Sequence, residues 1–320
     1  MMKKLICCVL SAMLLLCGLT ACGVKDDGKY VVGIVQLAKH PALDAATEGF
    51  MAAVKEALGE ENVTFDLQVA AGDAATCTPI VTSFVSQNVD LIMANATPAL
   101  QAAAAANAVI PILGTSVSEY GVAMGIDGFN GTVGGNISGT SDLAPLDQQA
   151  QMVKTWFPDA KNVGLLYCSG EPNSQYQVET ISKYLTELGY TCTAYPFADG
   201  NDMAAVTQKA CDSSDVIYVP TDNTAATGAS IIDGICRPAG VPVVAGEAGI
   251  CAGCGVATLS IDYYDLGVAT GKMAVKILKG EADISAMPIE YAPEFSSLYN
   301  PEICADLGLT PPAGYKPVEE

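Results

Sequence analysis

Two corresponding stretches of the sequence decide the fold: "DLIMANATPAL" (90–100) and "DVIYVPTDNTA" (215–225). Each starts with an aspartate, continues as a short apolar run and then turns polar, so that Thr97 falls on Asp222. Two further pairs match in the same order, namely "VGIVQLAKHPALDA" (32–45) with "VGLLYCSGEPNSQY" (163–176), and "IPILGTS" (110–116) with "VPVVAGE" (241–247). Matches that keep one order indicate two similar units in tandem.

Short β-rich runs alternate with helical patterns along the chain after residue 29. The run 30–37 precedes a helical stretch from Ala42 to Leu58, and the run 162–168 precedes one from Ser174 to Leu188. This alternation is typical of parallel sheets flanked by helices. We therefore predict an α/β fold with two similar lobes, each a parallel sheet flanked by helices, around a central cleft.

The N-terminus, "MMKKLICCVLSAMLLLCGLTACG" (1–23), has the pattern of a secretory signal peptide, with Lys3 and Lys4 before a short apolar run. A cysteine directly after Leu-Thr-Ala resembles the bacterial lipoprotein box. The resemblance implies a signal peptide over 1–21, a lipid on Cys22, a tether over 22–29, and an extracytoplasmic protein anchored to the cell membrane. The alternative is an ordinary signal peptide with an incidental cysteine.

The charge and the residue types exclude several classes of function. The chain has 35 acidic and 15 basic residues and a formal net charge of −20. This charge argues against nucleic acid and against electrostatic adhesion to anionic lipid. The only histidine is His40, and no Gly-x-Ser-x-Gly motif is present, so we predict neither an enzyme nor a cofactor or metal site.

Cysteine usage leaves alternatives open. Beyond Cys22 there are eight cysteines, an even number that permits disulfides outside the cytoplasm, although a chain this long builds a core without them. "ICAGCG" (250–255) contains a Cys-x-x-Cys pair, and Gly253 and Gly255 predict a turn there. We expect Cys251 and Cys254 to be structural, with a local disulfide or a redox or metal role as the alternatives.

The polar residues that follow the corresponding strands form the candidate binding site. In an open parallel sheet, ligands bind beyond the carboxyl ends of the strands, and helices that start there present free N–H groups that favour anions. These residues are Thr97, Thr115 and Ser116 in the first unit, and Asn173, Ser174, Asp222 and Glu247 in the second. The alternative is that some of them are helix N-caps only.

Longer stretches resemble the lipoprotein substrate-binding proteins of ABC importers that are related to the tryptophan- and aromatic-amino-acid-binding component. They include "GIVQLAKHPALDAATEGF" (33–50), "ATPALQAAA" (96–104), "GTSDL" (139–143), "YVPTDNT" (218–224) and "SIDYYDLGVATGKMAVKILKGE" (260–281). The resemblance implies a type I periplasmic-binding fold with two hinged lobes that close on a small ligand. It also implies an ABC permease and ATPase as partners.

Carried over position by position, the resemblance places a set of residues at or near the cleft. They are Thr97, Pro98, Thr115, Ser116, Ser141, Asp142, Asn173, Ser174, Asp222, Asn223 and Asp262, with His40 on the loop after the first strand. Glu247 stands where the family leads us to expect an aspartate. The implied boundaries are a first lobe of 30–138 plus 262–289, a second lobe of 139–261 plus 290–310, and a tail over 311–320.

The residue types at the cleft favour a zwitterionic ligand. The only arginine, Arg237, lies well past the strand ends, so hydroxyls and helix N-termini are expected to bind a carboxylate. Asp222, with Glu247 or Asp142, is expected to bind an ammonium group. We predict an amino acid, with an aromatic or apolar one as an option, in a pocket lined by Tyr120, Phe129, Tyr167 and Tyr176. The alternatives are a sugar or nucleoside ligand, or a sensor lipoprotein that acts on a receptor.

Overall fold

Two β-sheets, each covered by helices on both faces, organise the chain in the computed structural model, which describes residues 29–107, 109–292 and 294–318. The predicted signal peptide, most of the tether and the lipid site at Cys22 lie outside the described residues. Within these ranges, no helix combines the length and the apolar character needed to cross a membrane.

The elements up to residue 141 build most of the first lobe. They are β1 (Tyr30–Gln36), α1 (Pro41–Leu58), β2 (Val63–Val69), α2 (Ala74–Gln87), β3 (Leu91–Asn95), α3 (Thr97–Ala106), β4 (Ile112–Thr115), α4 (Tyr120–Met124) and β5 (Ile137–Ser141).

The elements from residue 146 to 260 build most of the second lobe. They are α5 (Leu146–Trp156), β6 (Asn162–Cys168), α6 (Pro172–Glu187), β7 (Thr191–Phe197), α7 (Met203–Cys211), β8 (Val216–Val219), α8 (Asn223–Thr227), α9 (Ala229–Ala239), β9 (Val243–Ala245), α10 (Ala248–Cys254) and β10 (Ala257–Ser260).

The last part of the chain returns to the first lobe and then to the second. Its elements are α11 (Tyr263–Leu278), β11 (Glu290–Tyr291), β12 (Ser296–Tyr299), α12 (Pro301–Asp306) and β13 (Lys316–Pro317).

The strand orders confirm the predicted duplication. The first sheet has the order β11-β5-β4-β3-β1-β2 and the second β13-β12-β10-β9-β8-β6-β7, so that five neighbouring strands recur in the same arrangement. The strand pairs are parallel, except that β10 and β12 are antiparallel. Every residue of β3 and of β8 is buried, because helices cover both faces of each sheet.

Two glycines allow α11 to dock closely on α1 in the first lobe. A Cβ atom on Gly267 would lie 2.0 Å from the carbonyl oxygen of Ala46, and one on Gly49 would lie 2.1 Å from that of Tyr264. Larger side chains would therefore push the helices apart. This docking places the start of α11 beside the cleft.

The sheets place the lobe boundaries later than the sequence analysis does. Residues 139–141 continue β5 in the first sheet, and β11 pairs with them there, so both segments belong to the first lobe instead of the second. The chain passes between the lobes after β5, after β10 and after β11. The segment 137–141 consists mainly of small polar residues, so no apolar alternation marks it as a strand.

Three local features concern the second lobe. Within the tail over 311–320, β13 joins the second sheet beside β12. The helical segment after β8 is divided into α8 and α9 at Gly228. The turn predicted at the Cys-x-x-Cys pair is wrong, because this segment is the helix α10. Gly253 serves close packing there, since a Cβ atom would lie 2.6 Å from the Cβ of Ala229.

Candidate functional site

The carboxyl ends of the strands of both sheets meet at one cleft, and the loops that follow them touch across it. Nε2 of His40, after β1, lies 3.3 Å from Oδ1 of Asn223, after β8. Gln177 on α6 donates a hydrogen bond of 3.3 Å to the hydroxyl of Ser118, which follows β4. Each contact joins a residue of the first lobe to one of the second.

Five buried polar atoms at this cleft have no hydrogen-bond partner among the described residues. They are Thr97 Oγ1, Ser116 Oγ, Asp142 Oδ1, Asn173 Oδ1 and His40 Nδ1. Only three other buried side-chain atoms in the described ranges are unpaired, so these groups are concentrated at the cleft. A buried polar group without a partner costs free energy, which a ligand with matching groups would recover.

The start of α3 has the features of an anion site. Ala96 is its N-cap residue and offers no side-chain acceptor, so no side chain in the described part of the molecule caps this end. The buried hydroxyl of Thr97 stands beside the free N–H groups. Ala96 and Ser116 have φ angles of 92° and 53°. Positive φ is uncommon outside glycine and concentrates at functional sites.

Asp142 is a buried carboxyl group in the first segment that passes between the lobes. Its Oδ2 accepts a hydrogen bond of 3.0 Å from the hydroxyl of Tyr263, at the start of α11, and its Oδ1 is unpaired. Burial raises the pKa of Asp142 to about 6, although the nearby hydroxyls of Ser118 and Tyr263 oppose the rise. The group is therefore mainly ionised at pH 7, with one oxygen available to a ligand.

Asp222 is held by two backbone N–H groups. Its Oδ2 accepts from Cys168 at 2.7 Å and its Oδ1 accepts from Ala225 at 2.8 Å. Burial, together with the neighbouring carboxylate of Glu171, raises the pKa of Asp222 to about 8. Asp222 thus links the end of β6 to the start of α8, and it is a weaker acceptor for an ammonium group than Asp142.

Glu171 is a buried residue of the site that the sequence analysis missed. Its Oε2 accepts from the side-chain amide of Asn223 at 2.6 Å, and its Oε1 accepts from the N–H and the hydroxyl of Thr224, both at 2.8 Å. It therefore positions Asn223, which reaches His40 across the cleft. The available signal was its place directly before the helix-starting proline in "EPNS" (171–174).

Glu247 caps α10 and borders the cleft. Its two oxygens accept hydrogen bonds of 2.6 Å from N–H groups in the first turn of that helix. Burial raises its pKa, and the nearby His40 opposes the rise. A small enclosed cavity between the lobes is lined by Glu247 and His40, together with Asp142 and Tyr263.

The hydroxyls of Thr115 and Ser141 are engaged within the first lobe. Thr115 Oγ1 lies 3.1 Å from the hydroxyl oxygens of both Thr140 and Thr270. Ser141 donates a hydrogen bond of 2.8 Å to the carbonyl oxygen of Ser118. These two hydroxyls thus stabilise the first lobe beside the cleft, whereas the hydroxyls of Thr97 and Ser116 have no partner.

The remaining predicted residues differ in position. Asp262, which the sequence analysis places near the cleft, is exposed and caps the first turn of α11. Asn173 and Ser174 are buried and donate to the carbonyl oxygen of Thr221, at 3.2 and 3.5 Å. Pro98 lines a groove beside the enclosed cavity.

This groove has a volume of about 430 Å³ and shares Asn223 with the enclosed cavity. Leu37 and Pro98 of the first lobe and Met203 and Ile231 of the second are among its walls. Its volume lies within the usual range of small-molecule sites, about 300–1,000 Å³. The groove therefore offers apolar space next to the polar residues of the cleft.

The aromatic residues predicted to line a side-chain pocket are Tyr120, Phe129, Tyr167 and Tyr176. None of them borders the groove or the enclosed cavity. Tyr120 lies in the core of the first lobe, where its hydroxyl donates to the carbonyl oxygen of Thr140 at 3.0 Å. The aromatic residue at the enclosed cavity is Tyr263, which the sequence analysis did not select.

The Cys-x-x-Cys pair is buried in the second lobe. Cys251 and Cys254 are free thiols in α10, and burial raises the pKa of each. A raised pKa disfavours the thiolate form, which is the reactive form of cysteine. The described residues contain no cluster of three or more His, Cys, Asp or Glu side chains suited to a metal ion.

Comparison with known proteins shows what this chain is similar to. The profile of the ABC transporter substrate binding proteins matches residues 31–313. A tyrosine-binding protein of Clostridioides difficile is 31% identical, over 96% of this chain and 93% of that protein. An ABC domain from Streptococcus pneumoniae in complex with L-Trp is 30% identical, with a TM-score of 0.85 over 89% of this chain and 96% of that chain.

A further solved structure is similar over most of this chain. The ligand-free, open structure of a substrate-binding protein with adhesive properties from Clostridium difficile is 36% identical, with a TM-score of 0.68 over 91% of this chain and 100% of that chain. The L-Trp complex superposes better although its sequence is less similar. In this chain, residues of the two lobes contact each other across the cleft.

Proposed function

This chain belongs to the family of ABC transporter substrate-binding proteins, and from that premise we propose that it captures a zwitterionic amino acid between its lobes and delivers it to an ABC importer. The family consists of binding proteins that work outside the cytoplasm, and the chain is not an enzyme. The relatives named for tyrosine and solved with L-Trp support an aromatic ligand.

The observation that carries the proposal is the buried carboxylate of Asp142 with its unpaired oxygen. Three more buried acids lie nearby: Glu171, Asp222 and Glu247. The ion pairs among the described residues involve only Lys55 and Arg237 as cations, and their partners are other acids. An unpaired buried carboxylate is costly, and an ammonium group supplies both a positive charge and three donors.

The first lobe supplies the complementary half of the site. Thr97 and Ser116 have buried hydroxyls without partners, and the start of α3 has free N–H groups. Such donors suit a carboxylate, because hydrogen bonds to an ionised acceptor are stronger than those to a neutral one. We propose that these groups bind the ligand carboxylate while Asp142 binds its ammonium group.

The apolar groove gives space for the ligand side chain. It adjoins the enclosed cavity at Asn223 and measures about 430 Å³. Leu37, Pro98 and Met203 supply apolar surface there. Burying an aromatic ring against such surface favours binding by about 25 cal/mol for each Å² of apolar area removed from water.

Anchoring and transfer complete the proposal. A lipid on Cys22 would hold the protein at the outer face of the cell membrane, close to the permease and ATPase subunits of its importer. The lipoprotein box in the sequence supports this, and Cys22 itself lies outside the described residues.

Calorimetry with matched ligands tests the proposal. The panel comprises the common L-amino acids, the N-acetyl and amide derivatives of the best binder, and a set of sugars and nucleosides. We expect one or a few amino acids to bind. N-acetylation, which removes the ammonium group, and amidation, which removes the carboxylate, should each weaken binding at least tenfold. Equal binding of the N-acetyl derivative, or tight binding of a sugar, would contradict the proposal.

A further inference from the structure

Two cysteines of the second lobe lie side by side in its core. Cys211 ends α7 and Cys236 lies in α9, and their sulfur atoms are 3.3 Å apart. Both side chains are buried. Among the described cysteines, this is the only pair whose sulfurs are in hydrogen-bonding contact. We propose that Cys211 and Cys236 form a disulfide in the exported protein.

The geometry permits this bond with little movement. A disulfide brings its sulfur atoms to about 2.05 Å, so the two sulfurs need to approach by roughly 1.3 Å. Helices α7 and α9 already pack against each other in one apolar cluster that contains both cysteines. Cys254 also lies near Cys236, and it is therefore the natural competitor for the same partner.

The chemistry requires an oxidant outside the cytoplasm. We assign this role to the disulfide of a thiol–disulfide oxidoreductase, which meets the chain before α7 and α9 bury the sulfurs. Either thiolate can attack first while both are still accessible, and the two orders lead to the same disulfide.

In the order that starts from Cys211, the exchange proceeds in two balanced steps. The Cys211 thiolate attacks one sulfur of the oxidant's disulfide and displaces the other as a thiolate. The Cys236 thiolate then attacks Cys211 in the mixed disulfide and releases the second oxidant sulfur. Two chain thiols are oxidised to one disulfide, the oxidant is reduced to two thiols, and the two protons lost by the chain end on them.

The disulfide would link α7 to α9 and so stabilise the second lobe, without contacting the ligand. It joins residues 25 positions apart, and the closed loop contains β8 and Asp222. The inference rests on export of the chain and not on the identity of the ligand. Loss of the disulfide and failure of amino-acid binding are therefore separate results.

Peptide mapping tests the pairing directly. The full chain, exported with its own leader, is quenched in acid, alkylated with N-ethylmaleimide in denaturant without reductant, and digested. We expect a peptide that joins Cys211 to Cys236, and the maleimide adduct on Cys77, Cys168, Cys192, Cys251, Cys254 and Cys304. Adducts on both Cys211 and Cys236, or a cross-link from either one to Cys254, would overturn the inference.

Thermal unfolding gives a second, independent readout. Reducing the unfolded protein and refolding it in reductant should lower the melting temperature by about 5–10 °C. The double variant Cys211→Ser, Cys236→Ser should show no response to reductant, and the control Cys304→Ser should keep the full response. Ligand affinity should be unchanged in the double variant. A parent protein that melts at the same temperature with and without reductant would refute the disulfide.

Discussion

Replacing Asp142 with asparagine should have opposite effects on ligand affinity and on the free energy of unfolding. The substitution keeps the shape of the side chain and an oxygen for the hydroxyl of Tyr263, and it removes the negative charge. A charge-assisted hydrogen bond to an ammonium group contributes about 1.5–3 kcal/mol. We therefore expect the affinity for the amino acid to fall roughly 10- to 150-fold.

The same substitution should stabilise the protein when no ligand is bound. The pKa of Asp142 is raised from 3.8 to about 6 by burial, so the folded protein binds this proton more tightly than the unfolded chain does. The contribution of Asp142 to the free energy of unfolding therefore falls as the pH rises through that interval. Above it, ionisation of the buried group costs up to about 3 kcal/mol, and asparagine avoids this cost. In urea denaturation at pH 7, the variant should have a higher free energy of unfolding than the parent. The difference between the two free energies should shrink towards pH 4.

Calorimetry at several pH values completes the test. Below pH 6 the parent should lose affinity by about tenfold per pH unit, because protonated Asp142 no longer attracts a cation, whereas Asp142→Asn should show little change. L-tryptophan is the first probe. Asp262→Asn is the matched control, since it makes the same chemical change at an exposed helix cap. Unchanged affinity in Asp142→Asn, or an equal loss in Asp262→Asn, would refute the assignment of the ammonium site.

Three further predictions concern single residues. Thr97→Val should weaken amino-acid binding by less than about tenfold in calorimetry, because the N–H groups at the start of α3 remain, and unchanged affinity would exclude its hydroxyl from the site. At pH 4, where the raised pKa of Asp222 adds little cost, Asp222→Ala should lower the free energy of unfolding in urea by about 1–3 kcal/mol, because the N–H groups of Cys168 and Ala225 lose their acceptor. Unchanged stability at that pH would contradict a structural role for these two hydrogen bonds. Cys22→Ser should release the protein from the membrane fraction, whereas equal retention would rule out the lipid anchor.

Particular residues show why some features were predictable. Thr97 and Ser116 follow apolar runs directly, and Asn173 follows a proline that starts a helix, so each lies at a strand end that the sequence pattern marks. The strand β5 was not predictable in this way. Its residues 137–141 are small and mostly polar, and they are buried because β4 and β11 pair with them and α11 covers them. No local sequence pattern indicates that β4, β11 and α11 surround this strand.

The sequence by itself determined the α/β class, the duplicated order of strands and the edge of the sheets at which a cleft forms. These features follow from periodicity and from the geometry of parallel sheets, which act over short stretches. Only the tertiary structure decided which acid has an oxygen free for a ligand. Asp222 is held by Cys168, 54 residues away, and Asp142 by Tyr263, 121 residues away. The number of hydrogen bonds that a carboxylate can still accept from a ligand depends on such distant partners. A local sequence pattern does not identify these partners.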